Sequence, residues 1–181
     1  MAARETIRPL PTTQHSQAAP RGHWPGGDDS DADLLRHATQ GNAAAFEKIA
    51  ARYDRAILAL LLVLTGSEQV ALDLCHATLL HAYGEMQRRR APSLYLWLYR
   101  LAAEQWLAWA GNRAHDPRNP PSQVDATPAD VLSARERLVF ALKSNQRLAL
   151  PTVAQIVDLP QETVARIFTR AVAKLRIGPR S

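Results

Sequence analysis

Apolar residues recur every three or four positions along most of the chain after residue 30. The clearest series lies between Asn42 and Gly66 and comprises Phe46, Ile49, Tyr53, Ile57, Leu60, Leu61 and Leu64. Such spacing places one apolar stripe along a helix. No segment alternates convincingly with the period of two that is typical of a strand. The pattern therefore predicts an all-α protein.

Capping residues divide the first half of the chain into four predicted helices. Ser30, Asn42 and Ser67 can each cap the helix that follows, and Pro92 separates the third helix from the fourth because proline cannot occupy a helix interior. The predicted segments run from Ser30 to near Gly41, from Asn42 to Gly66, from Ser67 to about Arg88, and from about Leu94 to Gly111. In the third helix the predicted inward positions are Val70, Leu74, Thr78 or Ala77, and Leu80 or His81.

A second helical unit follows a segment with the composition of a linker. Residues 112–131 contain four prolines among Asn, Asp and Ser, which is typical of a boundary between domains. Ser133 and Glu136 then form a predicted capping box for a helix to about Lys143. A short helix from Pro151 to Val157 precedes a longer one from about Pro160 to Arg176, an arrangement typical of a helix-turn-helix. The predicted buried face of the last helix is Val164, Ile167, Phe168, Ala171 and Leu175.

These segments predict two small helical domains joined by a flexible linker. The first domain occupies residues 31–111, the linker 112–131, and the helix-turn-helix domain 132–178. Residues 1–30 are rich in proline and glycine and have no sustained apolar period, so they are predicted to be a disordered tail.

Charge is unevenly distributed along the chain of 181 residues, whose formal net charge is +5. From residue 135 onward, nine basic residues stand against three acidic ones. The basic residues are Arg135, Arg137, Lys143, Arg147, Arg166, Arg170, Lys174, Arg176 and Arg180. A basic C-terminal module favours a polyanionic partner, with a merely solvated basic surface as the alternative.

Several classes of function find no support in the sequence. Cys75 is the only cysteine, which favours a reducing compartment and a cytoplasmic location. The N-terminus lacks the apolar core of a signal peptide, and no apolar run approaches the length of a membrane span. Cys75, His76 and His81 do not share one helix face, so a metal site is not expected. No catalytic constellation or phosphate-binding loop is found, so neither an enzyme nor a cofactor is predicted.

Four groups of residues together resemble the extracytoplasmic-function (ECF) sigma factors of the sigma-70 family. Residues 33–38, Gly41-Asn42, Ala45-Phe46-Glu47 and Tyr53 are similar to the opening of sigma region 2. Asp73-Leu74, Thr78, Leu80, Ala82 and Tyr83 resemble the polymerase-binding helix, and residues 93–102 resemble the promoter-melting helix. Residues 135–176 resemble sigma region 4, including Val153-Ala154-Gln155-Ile156, Leu159-Pro160, Thr163-Val164, Arg170-Ala171 and Lys174-Leu175-Arg176. The resemblance covers nearly everything after residue 30.

The resemblance implies an alternative sigma factor that recognises promoters and assists DNA melting. Its partners would be core RNA polymerase, promoter DNA and an anti-sigma factor, with no membrane insertion. Contacts to the upstream promoter element are expected from Gln161, Glu162, Thr163, Ala165, Arg166, Thr169, Arg170 and Lys174. Contacts to the melted downstream element are expected from Arg88, Arg89, Arg90, Ser93, Tyr95, Trp97 and Arg100. Contacts to polymerase are expected from Asp73, His76, Ala77 and Leu80.

Some positions depart from the family pattern. In the polymerase-binding helix, positions that are usually acidic hold Val70, Leu72 and Ala77, whereas Asp73 keeps its charge. In the recognition helix, Ala165 stands where a lysine is usual and Ile167 where an arginine is usual. The turn glycines of region 4 are replaced by Arg147 and Asp158.

These departures leave two alternative functions open. One is a sigma-like decoy that binds an anti-sigma factor without initiating transcription, and the other is a stand-alone helix-turn-helix regulator. The residues of the aromatic-rich segment, Tyr95, Trp97, Tyr99, Trp106 and Trp109, are divided between core packing and base contacts, and the sequence does not say which residue does which.

Overall fold

The computed structural model describes residues 30–86, 93–114 and 131–177. Within these ranges the chain is helical and contains no strand, which confirms the all-α prediction. The helices are α1 (Asp31–Thr39), α2 (Ala43–Thr65), α3 (Glu68–Glu85), α4 (Leu94–Ala114), α5 (Ala134–Phe140), α6 (Leu150–Val157) and α7 (Gln161–Ile177). Helix α5 continues into one π-helical turn, Ala141–Asn145. The predicted tail, the arginine-rich loop and most of the linker lie outside the described residues.

The helix starts lie at the predicted capping residues. The side chains of Ser30, Asn42 and Ser67 each accept a hydrogen bond from the backbone N–H three residues later. Ser133 and Glu136 form the complete capping box. Each cap satisfies a backbone N–H that the first helical turn leaves without a partner, so these residues determine where the helices begin.

Two helix ends differ from the prediction. Helix α3 ends at Glu85 rather than at Arg88, and residues 87–92 are not described. Helix α4 continues through Gly111 to Ala114. A glycine weakens a helix interior by only about 1 kcal/mol relative to alanine, so Gly111 does not end a helix that is packed along its length.

The first domain consists of α1 to α4, with α2 at its centre packed against α1, α3 and α4. Asp31 at the start of α1 accepts a hydrogen bond from the hydroxyl of Tyr53 and forms a 2.6 Å ion pair with Arg52. These contacts attach the short α1 to α2. The buried residues of α2 include Ile49, Ile57 and Leu64, as its apolar pattern predicts.

The second domain consists of α5, α6 and α7. Val164 and Ala171 of α7 are fully buried, whereas Ile167, Phe168 and Leu175 are partly buried, which confirms the predicted inner face. The Phe140 and Phe168 rings are stacked between α5 and α7 with centroids 6.1 Å apart. This packing holds the helix-turn-helix, formed by α6 and α7, against α5.

The two domains are in contact along α4. Helix α4 packs against α5 and α6, and α2 packs against the π-helical turn, so that the buried residues of both domains form one continuous apolar core. Trp106 donates its indole N–H to the carbonyl oxygen of Ala134, and the Tyr99 hydroxyl donates to the Gln146 side chain. Helix α4 is therefore shared by the two cores.

Candidate nucleic-acid interface

Helix α7 presents a polar stripe on the side opposite its buried face. Gln161, Glu162, Arg166, Thr169 and Arg170 are exposed, and Ala165 is half-buried at the edge of the stripe. The Arg166 guanidinium donates a 3.3 Å hydrogen bond to the hydroxyl of Thr163, one turn earlier. The structure thus brings most of the predicted upstream-element residues together on one face, whose arginines and Gln161 can contact phosphates or base edges.

Two turns that orient this helix use non-glycine residues in a left-handed backbone conformation. Arg147 and Asp158 both have φ near 53°, at the positions where the sequence resemblance implies turn glycines. Asp158 ends α6, and the backbone N–H of Leu159 just after it donates to the Ala154 carbonyl. Aspartate tolerates this conformation better than most residues, so the turn between α6 and α7 keeps its shape.

Lys174 has a partner within the second domain. Its ammonium lies 2.7 Å from the carboxylate of Glu136, a buried residue of α5. Glu136 also accepts the backbone N–H of Ser133 at 2.8 Å. Burial alone would raise the pKa of Glu136, but the hydrogen bonds from Lys174 and Ser133 outweigh it, so the pKa is lowered. Lys174 therefore connects α7 to α5.

We expect Glu136→Gln to reduce stability by about 1 kcal/mol at neutral pH, since glutamine keeps the capping geometry and loses the charge. A carboxylate whose pKa is lowered by folding stabilises the protein above its unfolded pKa of 4.5, and this contribution is lost as the pH falls through the lower folded value. Thermal unfolding between pH 7 and pH 3 measures the difference in stability between Glu136→Gln and the wild type, and this difference should become smaller as the pH falls. Glu162→Gln, at an exposed position on α7, is the control, and an equal effect from it contradicts the assignment.

The predicted downstream-element residues divide into three groups. Arg88, Arg89 and Arg90 lie outside the described residues. Ser93 caps α4 by accepting the Leu96 backbone N–H at 3.4 Å. Tyr95, Trp97 and Arg100 lie within α4.

The aromatic residues of α4 are mostly part of the core. Trp97, Tyr99 and Trp106 are buried, whereas Tyr95 and Trp109 are half-buried. Tyr95 contacts Tyr99 with ring centroids 4.6 Å apart, and burial raises the pKa of Tyr99 to about 12. Trp97 is only 5% exposed, and its buried indole N–H has no hydrogen-bond partner. In this conformation Trp97 cannot stack on a base.

The predicted polymerase-binding residues lie on one exposed stripe of α3. This α3 stripe consists of Asp73, His76, Leu80 and Tyr83, with Ala77 half-buried beside it. Leu80 is 71% exposed and Tyr83 is 52% exposed. Asp73 accepts a hydrogen bond from Gln69, one turn earlier.

The inner face of α3 corrects part of the sequence prediction. Leu74 and Thr78 are buried as predicted, but Leu80 and His81 are both exposed and Ala82 fills the next inward position. Ala71 rather than Val70 fills the first inward position. Helix α3 carries apolar residues on nearly every side, so the pattern alone does not determine which of them face inward.

The overall arrangement of these helices is found in other solved structures. That of CnrH in complex with the cytosolic domain of CnrY has a TM-score of 0.66 and 23% identity, over 82% of this chain and 96% of that one. That of the sigma factor RpoE of Bartonella quintana in complex with the anti-sigma factor NepR has a TM-score of 0.59 and 18% identity, over 73% of this chain and 94% of that one. These likenesses establish the fold.

The chain is also similar in sequence to known sigma factors. The ECF RNA polymerase sigma-E factor of Haemophilus influenzae is 27% identical over 183 residues, covering 83% of this chain and 96% of the relative. The family model of sigma-70 region 4 matches residues 129–176, which contain α5, α6 and α7. Residues 129–176 therefore match sigma-70 region 4, and most of the chain is similar in sequence to an ECF sigma factor. The polar stripe of α7 lies on the last helix of the segment that matches region 4.

The described residues also bear on two other kinds of site. In the parts of the chain that the structure describes, no group of three or more His, Cys, Asp or Glu side chains could hold a metal ion. None of the described helices is both long enough and apolar enough to cross a membrane.

Sequence reasoning did not find the contacts between the domains. Arg100 of α4 forms a 2.7 Å ion pair with Asp158, and Arg137 donates a hydrogen bond to the Leu64 carbonyl. These partners lie 58 and 73 positions apart in the sequence. No local pattern signals such pairs.

Proposed function

We propose that this chain is an alternative sigma factor that directs RNA polymerase to a specific class of promoters. One observation carries the proposal: the segment that matches region 4 presents a polar, arginine-containing stripe on the exposed face of α7, the second helix of its helix-turn-helix. The four helices before this segment support the proposal too, because the whole arrangement is similar in fold to the structure of CnrH. The role is that of a DNA-binding regulator and involves no catalytic residue of its own.

Region 4 would recognise the upstream promoter element. The second helix of a helix-turn-helix lies in the major groove, where arginine can bind guanine bidentately and glutamine can bind adenine. Gln161, Arg166 and Arg170 are exposed side chains of the polar stripe that have this capacity. Glu162, Thr163, Ala165 and Thr169 would shape the contact surface around them.

Region 2 would bind the melted downstream element and the polymerase. Bases that leave the duplex need stacking surfaces and nearby positive charge, which Tyr95, Arg100 and the arginines at 88–90 would supply. The α3 stripe would contact the polymerase clamp, with Leu80 at its centre. An anti-sigma factor is the further partner that we propose, since both structural neighbours described above were solved as complexes, and that of RpoE contains a named anti-sigma factor.

Run-off transcription with purified chain and core RNA polymerase tests the proposal, using a pool of promoter sequences from which transcribed templates are recovered. We expect initiation that depends on the chain and is confined to a subset of templates. A lack of initiation above core polymerase alone would refute the proposal.

We expect Arg166→Ala to lower initiation from the selected promoter by about tenfold, because one bidentate base contact is worth about 1–3 kcal/mol. Arg135→Ala is the matched control, since it removes the same exposed charge from α5. Template selection with both variants shows whether sequence preference relaxes at one position. Equal losses for the two variants would indicate a contact to phosphate rather than to a base.

A second candidate function has a specific observation in its favour. The α3 stripe carries Asp73 as its one carboxylate, and Leu80 and Tyr83 make it largely apolar. A sigma-like decoy would keep the fold and bind an anti-sigma factor while failing to bind polymerase. Saturable binding to core polymerase that Asp73→Arg weakens would favour the sigma factor, whereas no binding at micromolar protein would favour the decoy.

A further inference from the structure

The ion pair between the two domains joins a predicted DNA-binding residue to the turn of the helix-turn-helix. The Arg100 guanidinium of α4 lies 2.7 Å from the carboxylate of Asp158. The Asp158 side chain is 85% exposed and that of Arg100 is 31% exposed. The carboxylate therefore reaches Arg100 from the solvent side, at the surface edge of the contact between α4 and α6.

The backbone of Asp158 makes this position unusual. Its φ of 53° and ψ of 51° are left-handed, a conformation that glycine adopts without strain. A glycine would keep the turn and would remove the carboxylate. The aspartate thus adds to this turn a charge that the turn itself does not require.

The ion pair lies among other contacts that hold the domains together. Tyr99, next to Arg100 on α4, donates a 3.3 Å hydrogen bond to Gln146, and Trp106 donates to the Ala134 carbonyl. Apolar residues of α4 and α6 belong to the same continuous core. Apolar packing therefore supplies most of the contact between the domains, and the exposed ion pair adds a smaller contribution.

We propose that Asp158 and Arg100 form a latch that favours the closed arrangement of the domains and withholds Arg100 from nucleic acid. A guanidinium that binds a carboxylate cannot at the same time bind a phosphate or a base through the same N–H groups. Binding of promoter DNA by Arg100 then requires the latch to open. The part that concerns DNA rests on the proposed function, whereas the closed arrangement does not.

The latch is tested by measuring the distance between the domains in the free protein. Fluorophores are placed at Glu47→Cys on α2 and Gln155→Cys on α6, both exposed, in a Cys75→Ala background. The variants are Asp158→Arg, Asp158→Asn and the charge-exchanged pair Arg100→Asp with Asp158→Arg. Asparagine keeps the size and tolerates the left-handed turn, so it removes the charge alone.

We expect Asp158→Asn to raise the ratio of open to closed molecules by about twofold to fivefold, as for an exposed ion pair, and Asp158→Arg to raise it further by repulsion. The exchanged pair should restore the wild-type distances. Added salt should raise the ratio of open to closed molecules more in the wild type than in Asp158→Asn, because only the wild type has the ion pair that salt screens. Unchanged distances in Asp158→Arg, or no restoration by the exchange, would overturn the latch.

The same samples separate this proposal from the proposed function. Run-off transcription with Asp158→Asn leaves Arg100 intact and reports initiation independently of the distance measurement. A chain that closes through the latch but never initiates would refute the sigma factor and keep the latch. A chain that initiates transcription, but whose interdomain distances are the same in the wild type and the Asp158 variants, would refute the latch and keep the sigma factor.

Discussion

Leu80→Arg is expected to weaken binding of the chain to core RNA polymerase by about 100-fold, which corresponds to about 2.7 kcal/mol. Leu80 is 71% exposed at the centre of the α3 stripe, so the substitution does not disturb the core of the free protein. In the complex the leucine would be covered, and an arginine there would lose its hydration without gaining a partner. Equilibrium binding to core polymerase, by fluorescence anisotropy of labelled protein, measures the loss.

A control substitution separates this effect from a general change in charge. Leu62→Arg introduces the same charge at another exposed leucine, on α2 outside the α3 stripe, and should bind within about threefold of the wild type. Circular dichroism of both variants checks that the fold is kept. Equal affinity of Leu80→Arg and wild type would show that the α3 stripe is not the polymerase contact.

The second large effect is expected from Leu98→Ala, which should reduce the free energy of unfolding by about 3 kcal/mol. Leu98 lies in the second turn of α4 and is fully buried. Truncation leaves a cavity at a fully buried position of the helix that the two cores share, and the lost apolar contacts are not replaced. Urea unfolding followed by circular dichroism gives the difference between the variant and the wild type.

Leu62→Ala provides the comparison for this prediction, because Leu62 is 37% exposed and should lose less than about 1 kcal/mol. If α4 packed against one domain alone, the two domains of the variant would unfold in two separate transitions. Because both domains pack against α4, a single transition is expected. A loss below 1 kcal/mol for Leu98→Ala would contradict the packing described for α4.

The parts of the fold that could be predicted from sequence depend on local chemistry. Helices begin at four capping residues, Ser30, Asn42, Ser67 and Ser133. In each case the side-chain oxygen accepts a hydrogen bond from a backbone N–H three residues later, and this contact does not depend on the rest of the fold. The inner face of α7 was also predictable, since its apolar residues occupy one side. The polar stripe of α7 followed from the same pattern, and with it most of the predicted upstream-element residues.

The faces of α3 and α4 could not be predicted in this way. Helix α4 carries apolar residues on most of its sides because it packs against α2, α3, α5 and α6. Periodicity selects a buried face only when the opposite face is polar. The division of its aromatic residues into the buried Trp97 and Trp106 and the half-buried Tyr95 therefore required the structure.

The contacts between domains form a third group, which depends on tertiary structure alone. Arg100 and Asp158 each have an ordinary local role, one on a helix surface and one in a turn. Their pairing depends on how α6 lies against α4, and many other arrangements satisfy the same local signals. The ion pair between Lys174 and Glu136 has the same origin, because it joins α7 to α5 across 38 positions.

An apolar helix shared by two cores has a consequence for how this protein exists in a cell. If the second domain moved away from the first, the side of α4 that packs against α5 and α6 would be exposed to water, together with the surfaces that it covers. Exposed apolar surface of this kind binds other exposed chains and promotes aggregation. The protein with its domains separated is thus expected to be short-lived unless another macromolecule covers α4. Its lifetime would depend on how quickly such a macromolecule binds.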